Sequence, residues 1–201
     1  MSIEIKFDSL ASADLSGFAY ATPADYPSGR YSATITTIVP QTQDSKGKFC
    51  LRFKVSLSVD RPTDKPRLLV TDLISLTNGT SFSAVGANVF ADLAACVGLP
   101  RETAKSATSA LRDALASGDK PAIISSFRNL AEIASAFNGS RVAPNIEWTE
   151  DGRYANVRGS RTVPNYEPAT NELDPSGQFT GDDVGESVER QPKRRLKAVR
   201  R

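Results

Sequence analysis

The chain has 201 residues, a formal net charge of +2 and no histidine. This length is enough to bury the core of one ordinary domain and to leave extensions on it. Without histidine the chain lacks the usual general base near neutral pH, the commonest zinc and iron ligand and any Ser-His-Asp triad, so we expect neither an enzyme nor a bound cofactor.

Residues 1–29 have scattered apolar positions, two prolines and no sustained period, and they are predicted to form an irregular N-terminal arm. The chain has no run of about 18 apolar residues, and the first residues lack the basic-then-apolar layout of a signal peptide. We therefore expect a cytoplasmic protein that does not enter a membrane. Cys50 and Cys96 are not spaced as a pair of metal ligands, so both are expected to stay reduced.

Three strands are predicted to follow in succession. They cover residues 30–40, ending at Pro40, then residues 48–59 and residues 67–76. The second strand alternates with period two, which is typical of a half-buried strand. Its apolar face consists of Phe49, Leu51, Phe53, Val55, Leu57 and Val59, and its polar face of Lys48, Cys50, Arg52, Lys54, Ser56 and Ser58.

The middle of the chain, residues 80–137, changes to a helical spacing of apolar residues. The first helix is predicted to begin at a cap formed by Thr80 or Ser81 and to end at Gly98. Two further helices are predicted over residues 102–116 and residues 121–137. Together they form a helical insert after the third strand.

Two strands, residues 141–148 and 153–160, are predicted to close the fold as a hairpin. Asp151 and Gly152 between them favour a type I′ turn, which needs positive φ at both central residues. With that loop, the facing pairs are Ile146 with Val157, Glu147 with Asn156 and Trp148 with Ala155. This register favours Trp148 as a core residue over Trp148 as a platform for stacking.

The order of three strands, a helical segment and two strands is that of the OB-fold, a five-stranded Greek-key barrel. We therefore predict an α+β fold, an OB-fold-like five-stranded β-barrel over residues 30–163 with the helical insert at 80–137. Residues 164–201 are rich in Pro, Gly, Ser and charge, and they are predicted to form a disordered C-terminal tail. Residues 166–189 hold seven acidic and no basic residues, whereas residues 190–201 hold seven basic and no acidic residues.

Positive charge collects where an OB-fold binds its ligands, on the second and third strands and the loops beside them. Residues 46–67 hold seven basic and two acidic residues, a local excess of five. Such a surface can follow a phosphodiester backbone, because each neutralised phosphate releases condensed counterions, and a nearby aromatic ring can stack on a base.

The predicted phosphate contacts are Lys48, Arg52, Lys54, Arg67, Arg153, Arg158 and Arg161, with Tyr154 as the stacking residue and Tyr26 and Tyr31 as further aromatic candidates. Basic residues on an edge strand also protect it against aggregation, and for the strand alone this alternative stays open.

Four stretches carry a resemblance to a known family. They are 27-PSGRYSATITTI-38, 46-KGKFCLRFKV-55, 90-FADLAACVGLP-100 and 138-NGSRVAPNIEWTEDGRYANVRGSRTVP-164. They resemble the opening strand, the second strand, the helix stop and the closing hairpin of phage-encoded single-stranded-DNA-binding proteins with an OB-fold. The resemblance implies a non-catalytic protein that coats single-stranded DNA in replication or recombination. We expect a phage protein that binds single-stranded DNA with little base preference in the host cytoplasm.

A function of a different class stays open, that of a phage structural or adaptor protein that binds another protein through the barrel face. The charged tail is the expected contact for replication or recombination proteins. Its basic end can serve as an extra electrostatic arm on nucleic acid, fold back on the acidic residues 182–189, or simply act as a solubilising end.

Overall fold

The computed structural model describes residues 21–60, 65–160 and 162–169. These residues form nine strands and three helices, and none of these helices is long and apolar enough to cross a membrane. The strands are β1 (Gly29–Arg30), β2 (Ala33–Gln43), β3 (Phe49–Val59), β4 (Leu69–Ser75), β5 (Thr77–Asn78), β6 (Ser81–Phe82), β7 (Arg141–Trp148), β8 (Ala155–Val157) and β9 (Tyr166–Pro168). The helices are α1 (Ala84–Cys96), α2 (Arg101–Ser117) and α3 (Lys120–Ser135). The predicted α+β class is confirmed.

β3 is the central strand of the sheet, paired with β2 on one side and with β4 on the other. Its apolar side chains beyond Phe49 are buried, and its polar side chains, among them Arg52 and Lys54, lie on the outer face, as the alternation predicts. Phe49 differs from the prediction, because its side chain is 45% exposed. The ladder between β2 and β3 shifts register next to Phe49, and such an irregularity changes the direction of the side chains beyond it.

β2 is longer than the predicted first strand, which ended at Pro40. The strand continues to Gln43, and Pro40 lies opposite Phe53. Proline lacks a backbone N–H and is tolerated where a strand has a neighbour on one side only. β2 meets that condition at Pro40, because β7 pairs with it only at Ala33 and Thr34.

The strands expected to form the barrel are β2, β3, β4, β7 and β8, and hydrogen bonds join them in the order β8-β7-β2-β3-β4. β1 and β9 also pair with β7. β4 and β8 contact each other, but no ladder of hydrogen bonds joins them among the described residues. The sheet is therefore open, and the predicted closed barrel is wrong.

Two features lie beside the unpaired edges of β4 and β8. β8 has only three residues, and the N–H of Arg158 just after it donates to Asn145 O of β7 at 2.9 Å. At the end of β4, the first turn of α1 packs so closely that a Cβ added to Gly86 would overlap the carbonyl oxygen of Ser75. A groove remains between the two strands.

The helical insert packs onto the sheet through aromatic rings. Phe53 of β3 stacks on Phe90 of α1 and on Phe127 of α3, with ring centroids 5.2 and 5.5 Å apart. Phe137, just beyond α3, lies 5.7 Å from Phe90. These rings join the insert and the sheet in one hydrophobic core.

The helices begin and end within a few residues of their predicted positions, except at the start of α1. β5 and β6 form a small hairpin around Gly79, whose φ is 59°. The predicted caps Thr80 and Ser81 lie in this hairpin. Ser83 caps the helix instead, since its Oγ accepts a hydrogen bond from the Gly86 N–H at 3.2 Å.

Residues 21–29, predicted to belong to the N-terminal arm, pack onto the sheet. Tyr26 is buried, and its hydroxyl donates to Pro66 O at 2.8 Å. Its own carbonyl oxygen accepts a hydrogen bond from Trp148 Nε1 at 2.6 Å. Tyr31 is buried beside it, with ring centroids 5.7 Å apart. The folded part of the chain therefore begins before β1.

Residues 164–169, predicted to open the tail, continue the folded part, since β9 pairs with β7. Arg30 of β1 holds this segment. Its Nη1 donates to Ala143 O at 2.7 Å, its Nη2 donates to Pro164 O at 2.9 Å, and Nη2 lies 3.1 Å from Glu167 Oε1. The remainder of the predicted tail, with most of its acidic block and all of its basic block, lies outside the described residues.

Replacing Gly86 by Ala tests the contact between α1 and β4. Alanine is the better helix former by about 1 kcal/mol, so helix propensity alone predicts a more stable protein. The added methyl group would overlap backbone atoms of Ser75, and no side-chain rotation relieves that overlap. We therefore expect the free energy of unfolding, measured by urea denaturation, to fall by about 1–3 kcal/mol.

Asn88→Ala, at an exposed position of the same helix, is the matched control and should leave stability unchanged or slightly raised. Equal or higher stability for Gly86→Ala would contradict the close packing of α1 on β4.

Candidate nucleic-acid interface

The outer face of β3 carries two of the predicted phosphate contacts. Arg52 Nε donates to Gln41 Oε1 of β2 at 2.7 Å, so a neutral side chain orients this guanidinium. Lys54 is exposed and forms no ion pair with the described residues. Its neighbours across the sheet are Val39 of β2 and Leu73 of β4, both apolar and partly exposed. The face is therefore cationic and apolar at the same time.

Lys48 and Arg67 lie near opposite ends of β3. Lys48 is exposed in the turn before the strand, where the Asp44 carboxylate accepts the backbone N–H groups of Lys46 and Lys48 at 2.8 and 2.9 Å. These hydrogen bonds lower the pKa of Asp44. At the other end, Arg67 Nε and Nη2 each lie 3.2 Å from Ser58 Oγ. The predicted cations thus extend along the whole of β3.

The closing hairpin has the predicted register, which pairs Ile146 with Val157, Glu147 with Asn156 and Trp148 with Ala155. Its turn is not of type I′, because φ is positive at Gly152 but not at Asp151. The Gly152 N–H donates to Thr149 O at 2.8 Å. Asp151 Oδ1 accepts hydrogen bonds from Thr149 Oγ1 at 2.6 Å and from the Arg153 N–H at 3.2 Å, which lower the pKa of this carboxyl. The aspartate side chain therefore closes the loop.

The aromatic residues divide into buried and exposed ones. Trp148 packs against the hydrophobic core, as its predicted register requires. Tyr26 and Tyr31, the further candidates for stacking on bases, are each 1% exposed, so that expectation is wrong for both. Tyr154 is 68% exposed. It is the predicted stacking residue that a nucleic acid can reach.

The hairpin surface around Tyr154 has mixed charge. A recess of about 630 Å³, here called the hairpin recess, is lined by Glu147, Trp148, Thr149, Glu150, Asp151, Tyr154, Asn156 and Arg158. Arg153 Nε lies 3.6 Å from Asp151 Oδ2, so this predicted phosphate contact already has a carboxylate partner. Arg158 is exposed and forms no ion pair within the described part of the chain.

A second recess, of about 320 Å³, occupies the open seam between β4 and β8 and is here called the seam groove. Its lining residues are Asp72, Leu73, Ile74, Ser75, Ser83, Val85, Gly86, Val89, Val157, Arg158, Gly159 and Asn165. Arg158 lines both recesses, so they adjoin at this residue. In the β3–β4 ladder, Leu73 lies opposite Lys54 and Ser75 lies opposite Arg52. The β3 cations and the hairpin therefore belong to neighbouring parts of one outer surface.

Seven of the eight predicted site residues are described, and Arg161 lies outside the described residues. Arg158 lines both recesses and Tyr154 lines the hairpin recess. Arg52 and Lys54 lie on β3 opposite Ser75 and Leu73 of the seam groove, Lys48 and Arg67 lie near the ends of β3, and Arg153 forms an ion pair.

The seam groove contains residues that the sequence analysis did not single out. Leu73 and Val85 are 47% and 76% exposed, and their exposure depends on the position of α1 beside β4. Asp72 did leave a signal in the sequence. In 67-RLLVTDLISL-76 it falls on the same face as Val70 and Ile74. A lone carboxylate on an apolar face indicates a buried polar contact.

Asp72 forms that contact across the inside of the fold. Its Oδ2 accepts a hydrogen bond from the Tyr166 hydroxyl at 2.6 Å, and its Oδ1 accepts one from the Leu73 N–H at 2.8 Å. The first of these bonds links β4 to β9. Burial raises the pKa of Asp72, and the two hydrogen bonds offset part of that effect. Burial and the nearby Asp72 carboxylate raise the pKa of Tyr166, so its phenol remains a donor at neutral pH.

Cys50 and Cys96 are free and half-buried. Burial raises the pKa of Cys96 to about 11, which suppresses its thiolate at neutral pH. Within residues 21–60, 65–160 and 162–169, no group of three or more Cys, Asp or Glu side chains could hold a metal ion.

Comparisons with models of known protein families, with curated proteins and with solved structures found no match.

Replacing Asp72 by Asn should change how stability depends on pH. The pKa of Asp72 is higher in the folded chain than in the unfolded chain. Its contribution to the free energy of unfolding is therefore largest at pH values below the unfolded pKa, and it is lost as pH rises through the folded pKa. Asparagine does not titrate. We therefore expect the free energy of unfolding of Asp72→Asn, relative to the unchanged protein, to increase from about pH 4 to about pH 7 in urea denaturation.

Carboxyls with a lowered pKa, such as Asp44 and Asp151, make stability depend on pH in the opposite direction. Both proteins contain these groups, so their contributions cancel in the difference between the two free energies of unfolding. A difference that stays constant or decreases over this range would show that Asp72 is not held in a desolvated position.

Proposed function

We propose that the protein binds single-stranded DNA, with little base preference, through the outer surface formed by β3, β4 and β8. The observation that carries the proposal is the position of Arg158. This exposed residue lines both the seam groove, whose Leu73 and Ser75 lie opposite Lys54 and Arg52, and the hairpin recess, which Tyr154 also lines. Cations along β3 and at Arg158, with an exposed ring in the adjoining recess, suit an unpaired polynucleotide strand, which offers both phosphates and bases.

The electrostatics of this surface support the proposal. Lys48, Lys54, Arg67 and Arg158 are exposed, and none of them lies within 4 Å of a carboxylate oxygen among the described residues. Each can therefore neutralise a phosphate and release condensed counterions. Contacts of this kind go to the backbone of the nucleic acid, so they carry no sequence information.

The arrangement of strands gives further support. Every pairing along the order β8-β7-β2-β3-β4 is antiparallel, so β4 and β8 run in the same direction on the two sides of the seam. This order, with helices between β4 and β7, matches the connectivity of the OB-fold, whose outer strands and loops bind oligonucleotides. We propose an OB-fold-like domain in which the last seam is not hydrogen-bonded.

The proposed role is non-catalytic and belongs to DNA replication or recombination, the processes that expose single strands. Support for this role, for a phage origin and for action in the host cytoplasm comes from the resemblance of four stretches to phage single-stranded-DNA-binding proteins. Those stretches include the first part of β3 and the closing hairpin. Other replication or recombination proteins are the expected partners.

A second candidate function is that of a structural or adaptor protein that binds another protein through the same surface. The observation in its favour is a set of exposed apolar side chains, Val39 on β2 and Leu69 and Leu73 on β4. They lie on the outer face of the sheet, with Lys54 between Val39 and Leu73, and exposed aliphatic residues on one face can form part of a protein–protein interface. A protein of this class would show no salt-sensitive preference for single strands.

Reversing the charges of Arg52 and Lys54 tests the DNA-binding proposal. In a fluorescence-anisotropy titration at several salt concentrations, the unchanged protein should bind a single-stranded oligonucleotide more tightly than the duplex. Arg52→Glu with Lys54→Glu should weaken binding to all sequences. It should also reduce the slope of log affinity against log salt concentration by about 1.4, because two phosphate contacts are lost.

The matched control is Lys120→Glu with Arg128→Glu, which makes the same charge change at exposed positions of α3. If both pairs of substitutions weaken DNA binding equally, the loss comes from the net charge of the protein and not from the β3 face. Binding that is absent at low salt would reject the proposal and favour the adaptor.

A chain that ends at Ala169 should keep its preference for single strands. This end point retains β9 and its hydrogen bond to Asp72, whereas a chain ending at Val163 would lose both. The affinity is expected to fall only by the contribution of the basic end. Loss of all binding, in a protein that still unfolds cooperatively, would place the site within residues 170–201.

A further inference from the structure

The phosphate contacts leave the seam groove unexplained. Its volume of about 320 Å³ lies at the lower end of the range for small-molecule sites, which suits a single ring system. Three different elements supply its apolar walls, namely Leu73 from β4, Val85 and Val89 from α1, and Val157 from β8. Polar groups accompany them, among them Ser75, Ser83 and Asn165. A small concave site with apolar walls and a few polar groups fits a planar ring with polar edges.

We propose that the seam groove receives one unstacked nucleobase of the bound single strand, while Arg158 contacts the adjoining phosphate. This inference rests on the proposed single-strand binding and names the part of the surface that takes a base. The ring would lie against Leu73 and Val85, and its polar edge would face the serine and asparagine side chains.

The shared position of Arg158 supports this assignment. Because Arg158 lines the seam groove and the hairpin recess, a phosphate bound by this residue would lie next to both recesses. A base in the seam groove and a neighbouring base on Tyr154 can then occupy the two recesses together. All four bases present a ring to the aliphatic walls, so the groove adds affinity with little base preference.

The test compares two ligands with the same phosphates, an oligothymidylate and an abasic deoxyribose-phosphate oligomer of equal length. The variant is Leu73→Thr with Val85→Thr, which removes apolar contact at two exposed positions and adds no charge. We expect it to bind the oligothymidylate about tenfold more weakly than the unchanged protein does, and to bind the abasic oligomer equally well. The control is Ile124→Thr at a 59% exposed position of α3, which should affect neither ligand.

Each other outcome overturns the assignment. Equal weakening with both ligands would mean that the groove acts through the backbone or through the fold. If the variant binds both ligands as tightly as the unchanged protein does, single-strand binding still stands, but the seam groove does not receive a base. If the protein without substitutions binds neither ligand, both the proposed function and this inference are rejected.

Val85→Trp is the second variant, for use if the double variant does not unfold cooperatively. Val85 is 76% exposed at the start of α1, so the larger ring can enter the groove without changing the sheet. The same selective weakening with the oligothymidylate is expected. Unchanged affinity for both ligands would again overturn the assignment.

Discussion

Pairing on both sides of β3 fixes the direction of every side chain in that strand. Phe53 points inward and stacks between the rings of Phe90 and Phe127, which anchors the helical insert on the sheet. Since neighbouring side chains alternate, this packing also fixes Arg52 and Lys54 on the outer face. A slip of one residue would bury both cations and expose the whole apolar row, so the core and the cationic surface depend on the same register.

Much of this arrangement could be predicted because its signals are local. The period of two in β3, the helical spacing in the insert and the pairing of Ile146 with Val157 all follow from residues close together in the chain. Local signals failed where a side chain or a neighbour changed the outcome. Asp151 closes its loop with side-chain hydrogen bonds and does not adopt positive φ. Pro40 stays within β2 because β7 leaves that part of the strand unpaired.

The open seam and the recesses beside it could not be predicted, because they depend on contacts between distant segments. The sequence pattern gives Gly86 no special role within its predicted helix. In the structure, its lack of a side chain allows α1 to lie against the end of β4. The cations of β3 were visible in the sequence. The position of Arg158 between two recesses, and the burial of Tyr26 and Tyr31, required the tertiary structure.

The two ends of the described chain meet on β7, where Arg30 of β1 holds the segment that contains β9. The hydrogen bond from Arg30 to Pro164 spans 134 residues of sequence, and the one from Tyr166 to Asp72 spans 94. Contacts of this sequence separation close long loops at a cost in conformational entropy, and they raise the contact order of the fold. During synthesis, β9 emerges from the ribosome after every strand and helix that it contacts. The sheet therefore reaches its final form only when translation has passed that strand.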